Sequence, residues 1–308
     1  MKYDLEKFKG IFMAMYSTYD ENGNISRERA KALTRYYIEK GVKGLYVGGS
    51  SGEGVLQSES ERKEMLEAVM EEARGKLTII AHIGANSTVE SVRLATHAKE
   101  VGVDAISSIP CVYYGFSAKA VKEHWLSMIN ATDLPFIIYH IPQTTRFNLP
   151  ISLFKEMASM EQVIGIKCSS ESTFELQQFK AVGERAKQGE FLVFNGPDEQ
   201  FIAGRAIGAD SGIGGTYGVM PELFLKLNEY VIEGDFVKAR KLQDEVNEVI
   251  KGLLSGPSLY AVCKYILKLR GVETGEVRGP MLPISKPEHV ELAERLNKRI
   301  QELIEEYK

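Results

Sequence analysis

Eight short runs rich in apolar and β-branched residues recur along the chain, and each is followed by a longer stretch with helical spacing. The runs fall at 11–15, 44–47, 78–82, 105–109, 136–140, 163–167, 191–195 and 211–214. Continuously apolar strands, each followed by a helix, call for a parallel sheet covered on its outer face. Between them, stretches such as 62–73 and 89–101 carry apolar residues at i, i+3, i+4 and i+7, which marks amphipathic helices. Ser58 with Glu61 and Ser87 with Glu90 fit the capping-box pattern, and Gly41, Gly75 and Gly102 stand just past helical runs, where chains leave a helix. Eight such units close into a (β/α)8 TIM barrel, an α/β fold; a doubly wound open sheet is the other arrangement this pattern permits. Past residue 217 the strand signal stops, and helical spacing continues over 221–232, 236–254, 258–270 and 287–306. The expected organisation is a catalytic barrel over 1–232 and a C-terminal helical extension over 233–308 packed on it.

A net charge of −4, from 38 basic and 42 acidic residues, gives no basic excess for nucleic acid to meet. Cys111, Cys168 and Cys263 lie far apart without a CxxC pair, which suits a reducing compartment. The charged start MKYDLEKFKG lacks the apolar core of a secretory signal, and no apolar run reaches the length of a membrane span. The histidines at 82, 97, 124, 140 and 289 show no metal-ligand spacing, so no metal is expected. A cytoplasmic enzyme is the expectation.

In such barrels the chemistry sits at the C-terminal strand ends, which shortens the search. Lys167 ends the apolar run Val163-Ile164-Gly165-Ile166. Burial there disfavours the ammonium, and a neutral amine is what attacks a ketone; a lysine snorkelling from a strand end to water is the competing reading. Tyr139 and Tyr113 read either as rim aromatics or as phenols that move protons with help from a hydroxyl such as Ser50. Asp198 and Glu199 follow Pro197, which suits a first helical position; they complement a helix N-terminus and can also accept hydrogen bonds from sugar hydroxyls. Gly48-Gly49-Ser50-Ser51-Gly52 matches the G-x-S-x-G pattern of a hydrolase elbow, but the capped helix begins only near Ser58, and an elbow needs its helix at once. The glycine-rich stretch 212–218 fits neither the dinucleotide nor the P-loop pattern.

Taken together, GGSSGE (48–53), YHIP (139–142), GIK (165–167), NGPDE (195–199) and GADSGIGGTYG (208–218) resemble the pyruvate-dependent class I aldolases of the dihydrodipicolinate synthase and N-acetylneuraminate lyase superfamily. The likeness runs from about residue 8 to 300. It implies that Lys167 forms a Schiff base with a 2-keto acid and that Tyr139 transfers protons in a relay with Ser50 and Tyr113. It further implies that Ser50 and Ser51 hold the carboxylate, and that Ser169, Gly196, Asp198, Glu199, Ile213 and Gly215 meet the rest of the substrate. In this family the Tyr113 loop reaches a neighbouring subunit, so a homotetramer is implied.

The synthase branch carries an arginine two residues after the proline of its YNxP motif; here Thr144 stands at that place and Arg146 lies two further on. GPDE (196–199), QSESER (57–62) and IAHIGANSTVES (80–91) resemble the lyase branch instead. The resemblance therefore implies a carbon–carbon lyase that cleaves N-acetylneuraminate, or a similar 2-keto sugar acid, to pyruvate and an aldose such as N-acetylmannosamine, with no cofactor. Another 2-keto acid aldolase and a non-catalytic sugar-acid-binding barrel are the alternatives. Departures from the lyase pattern are Ser51 and Ser169 for threonines, Gly215 for a serine, His140 for an asparagine, and Pro110 one place early.

Overall fold

The computed structural model describes residues 2–308. Eight strands close in sequence order into a barrel: β1 (Ile11–Ala14), β2 (Gly44–Val47), β3 (Thr78–His82), β4 (Ala105–Ser108), β5 (Phe136–His140), β6 (Val163–Cys168), β7 (Leu192–Asn195) and β8 (Ser211–Gly214). Every strand residue is buried, as a barrel filled within and covered without requires. The open-sheet alternative is thereby excluded. The helices are α1 (Arg27–Glu39), α2 (Glu59–Ala73), α3 (Thr88–Val101), α4 (Ala118–Ala131), α5 (Pro142–Thr145), α6 (Ile151–Ala158), α7 (Thr173–Ala186), α8 (Phe201–Ala206), α9 (Pro221–Glu233), α10 (Phe236–Leu254), α11 (Leu259–Leu269) and α12 (Pro287–Glu306). Strand bounds differ from the sequence expectation by a residue at β1, β4, β6 and β7, while the last four helices fall within a residue of theirs.

Two compact units are present. One comprises the chain up to Phe12, Lys43–Tyr46 and Thr78–Ile213; it holds the parallel ladder from β3 to β8. Within it, the β5–β6 register slips between Phe136 and Ile137: Phe136 faces Val163, whereas Ile137 faces Gly165. Gly165 cannot carry a side chain, because a Cβ would lie 2.6 Å from the Leu192 carbonyl of β7. The other unit comprises Met13–Val42, Val47–Leu77 and Gly214–Lys308, and contains α1, α2 and α9 to α12.

The capping box at Ser58 forms in full: its hydroxyl accepts from the Glu61 N–H, and Glu61 accepts from the Ser58 N–H. The one expected at Ser87 does not. Ser87 is the N-cap residue of α3 but its side chain makes no capping hydrogen bond. Instead the Ser91 hydroxyl accepts from the Ala85 N–H at 2.9 Å and fixes the loop before the helix. Gly102 ends α3 as expected, with φ +83° in the left-handed region.

Candidate active site

Lys167 and Tyr139 are register partners on β6 and β5, so their side chains leave the sheet on one face. The lysine is 5 % exposed. Its Nζ lies 4.0 Å from the Tyr139 ring centroid and 4.6 Å from that of Tyr46 on β2. A third ring, His82 at the end of β3, stands edge-on to Tyr139 with centroids 5.9 Å apart and lies 6.1 Å from Tyr46. The Tyr46 hydroxyl donates to Ser107 Oγ at 2.9 Å, and Ser107 donates to the Ile137 carbonyl at 2.8 Å. The amine therefore sits among aromatic faces anchored by a hydrogen-bonded chain, not at the end of a solvent-seeking stem.

The sequence pointed to Lys167 and Tyr139 but missed Tyr46 and His82. A single aromatic inside a strand reads as core, and His82 reads as one more scattered histidine. Their positions on β2 and β3 were the available signal.

Ser169 and Gly196 follow β6 and β7 and are brought together. A Cβ on Gly196 would run into Ser169 Oγ and stand 2.8 Å from the Cys168 carbonyl. The Gly196 N–H donates to that same carbonyl at 2.8 Å, and the Ser169 N–H donates to the His140 carbonyl at 2.8 Å. Asp198 is buried and Glu199 exposed in a 3₁₀ turn, Asp198–Gln200, that precedes α8. The first helical position expected for Pro197 is not what it takes: Pro197 caps this turn with extended backbone, and its carbonyl accepts from Asn195 Nδ2 at 2.7 Å. Ile213 is fully buried in β8.

In the other unit, the loop after β2 leads through a 3₁₀ turn, Gly54–Leu56, to α2, so no helix follows Ser50 directly as an elbow would need. Ser50 is exposed and Ser51 buried. The Ser51 hydroxyl donates to Tyr260 OH at 3.3 Å. A Cβ on Gly215 would lie 2.8 Å from Ser51 Oγ, and the Gly215 carbonyl accepts from Tyr16 OH at 2.6 Å.

Tyr113 stands apart. It is 88 % exposed, has φ +84°, and stacks edge-on with Tyr114 at 5.0 Å. His140 turns away from Tyr139, as neighbours on a strand do: Nε2 lies 3.1 Å from Glu175 Oε2 and the ring packs on Phe179. Burial holds its pKa below the ordinary value despite that carboxylate. Burial also pushes the Cys168 thiol up to about 12. Among the described residues no group of three or more His, Cys, Asp or Glu is arranged to hold a metal, and no helix is long and apolar enough to cross a membrane.

The model of the Dihydrodipicolinate synthetase family matches residues 7–299. An N-acetylneuraminate lyase of Mediterraneibacter gnavus is 47% identical over 292 residues, covering 94% of this chain and 91% of that protein. An N-acetylneuraminate lyase 2 of Escherichia coli is 35% identical, covering 96% and 95%. A solved structure of a catalytic lysine mutant of the Ruminococcus gnavus sialic acid aldolase superposes with a TM-score of 0.95 at 44% identity, covering 99% of this chain and 100% of that one. With its barrel closed in order and Lys167 at the end of β6, the chain belongs to the dihydrodipicolinate synthetase family.

Proposed function

We propose that the protein is a Schiff-base-forming lyase that cleaves N-acetylneuraminate, or a closely similar 2-keto sugar acid, to pyruvate and N-acetylmannosamine or the corresponding aldose. The observation that carries this reading is the buried Lys167 amine in register with Tyr139. The amine adds to the keto carbon and water leaves, giving an imine. Protonated, the imine accepts the electron pair of the bond between its α-carbon and the hydroxyl-bearing β-carbon as that bond breaks. The hydroxyl on the departing carbon gives up its proton and becomes the aldehyde, and the remaining enamine takes a proton on carbon. Water then returns pyruvate and the free lysine. Tyr139, whose ring lies 4.0 Å from Nζ, is the group we assign to the proton transfers, with Ser50 and Tyr113 completing the relay. Ser50 and Ser51 take the carboxylate. Asp198, Glu199, Gly196, Ser169, Ile213 and Gly215 meet the hydroxylated tail.

The lyase branch is favoured over the synthase by the segment after β5. Thr144, at the place of the synthase arginine, donates to the Ile141 carbonyl of its own turn, and Arg146 is exposed in the left-handed region at φ +53°. We assign a cytoplasmic location, the 1–232 and 233–308 division, and a homotetramer in which the exposed Tyr113, Tyr114 and Phe116 are covered by another copy; light scattering measures that assembly.

Borohydride reduction in the presence of pyruvate, read by mass spectrometry, tests the chemistry. A pyruvyl adduct on Lys167 that is absent in Lys167→Ala is the expected result. No adduct on folded wild-type protein overturns the lyase in favour of a sugar-acid-binding barrel.

A further inference from the structure

The loop after β2 is held in a shape its residues do not favour. Glu53 has φ 55° and ψ 23°, left-handed for a residue with a side chain. On either side, a Cβ at Gly52 would lie 2.9 Å from the Met15 carbonyl, and one at Gly54 would run into the carbonyl of Gly48. Such a conformation persists where its surroundings over-determine it. Here the Glu53 carboxylate accepts from Lys264 Nζ at 2.6 Å and from the Arg278 backbone N–H at 2.7 Å. The Ser17 hydroxyl and Gln57 Nε2 both donate to the Gly52 carbonyl, at 2.5 and 3.0 Å. Lys264 also donates to the Glu276 carbonyl at 3.0 Å and stands 4.6 Å from the Tyr19 ring centroid.

The side chains of Glu53 and Lys264 are 0% and 2% exposed. Burying such a pair costs desolvation that apolar packing would avoid, so its presence is weak evidence for stability alone. What it does for position is plainer. Lys264 lies on α11, and one turn earlier on the same helix is Tyr260, the partner of Ser51; residues four apart share a helix face. One face of α11 therefore grips the loop at two points, 51 and 53.

We infer that Glu53 and Lys264 are positioning residues for the substrate carboxylate: their buried ion pair locks the loop so that the Ser50 and Ser51 N–H groups and the Ser51 hydroxyl meet it in a fixed geometry. Within the Schiff-base reading above, on which this rests, neither residue touches substrate. Their effect is preorganisation, since donors already in place cost no rearrangement when the carboxylate arrives.

Borohydride trapping is measured over a range of pyruvate concentrations for full-length wild type, Glu53→Gln, Lys264→Met and Lys264→Arg. Trapping by the wild type tests the Schiff-base reading, and half-saturation in the variants tests the clamp. In Glu53→Gln and Lys264→Met the half-saturating pyruvate concentration is expected to rise about tenfold while the rate at saturation stays within about threefold, the pattern of lost binding and not lost chemistry. Lys264→Arg, which keeps the charge, recovers part of the loss. Lys264→Met leaves a buried carboxylate without its cation; if it does not fold, Glu53→Gln/Lys264→Met, which has neither charge, is measured in its place with the same expected rise. Unchanged half-saturation in the folded variants, with the wild type trapping normally, overturns the clamp. So does a lower saturated rate at unchanged half-saturation, because a merely structural role changes the amount of active enzyme and not its affinity. Absence of trapping in the wild type instead removes the Schiff-base reading, and the clamp with it.

Discussion

Tyr139 presents the face of its ring to the Lys167 amine, with 4.0 Å from Nζ to the centroid. The ring and the hydroxyl can therefore be separated by mutation. Tyr139→Phe keeps the wall against the lysine and removes the proton carrier. Turnover of N-acetylneuraminate should fall about 10²–10⁴-fold, while a pyruvyl adduct on Lys167 still forms on prolonged borohydride trapping. Steady-state assay and intact mass together check both halves.

Gly196 is packed where no side chain fits. Gly196→Ala drives a methyl group into Ser169 Oγ and toward the Cys168 carbonyl at 2.8 Å, one residue past Lys167 on β6. Overpacking of this kind costs about 1–3 kcal/mol, and the backbone must give way. Urea unfolding should show that loss, and kcat/KM should fall further than Ser169→Ala alone lowers it.

Position 215 carries glycine where the resemblance leads one to expect serine, and restoring the serine is expected to harm this enzyme. Its Cβ would stand 2.8 Å from Ser51 Oγ, which is bonded to Tyr260. We expect Gly215→Ser to lower kcat/KM, and Ser51→Gly to relieve part of that clash. A double-mutant cycle should therefore show coupling of about 0.5–3 kcal/mol, as contacting residues do.

His124 links folding to acidity. It is buried, bonded through Nδ1 to Thr88 Oγ1 at 2.9 Å, and burial pushes its pKa from 6.5 down to about 4. Between those values the unfolded chain binds a proton that the folded chain refuses. The neutral histidine's contribution is thus fully present above about pH 6.5 and is lost as pH falls toward 4, at most about 3 kcal/mol. Urea unfolding at pH 7 and pH 5 measures the slope, and His124→Gln should flatten it.

Sequence patterns carry the parts of this molecule that depend on neighbours along the chain. The run ending in Lys167 is legible because a wholly apolar strand must be buried and its last residue must meet the barrel mouth. The box at Ser58 is legible for the same local reason. Ser87 shows the limit: the same pattern is there, yet loop geometry hands the bonding to Ser91. Tyr46 is harder, since nothing in Gly44–Val47 tells a ring that walls a lysine from one that fills the core. The Glu53–Lys264 pair is not legible at all. Its members are 211 positions apart, and a lysine in the amphipathic α11 reads as surface until the fold buries it.

The slip between β5 and β6 has a consequence for how this barrel tolerates change. Phe136 still faces Val163, but by Tyr139 the partner is Lys167, so β6 spends one more residue than β5 over the same span. The lower end of β6 can thus follow the helix that delivers it, while its upper end keeps step with Tyr139. We expect insertions and deletions around α6 to be taken up at this slip before they reach the amine, much as an expansion joint spares the far end of a rail.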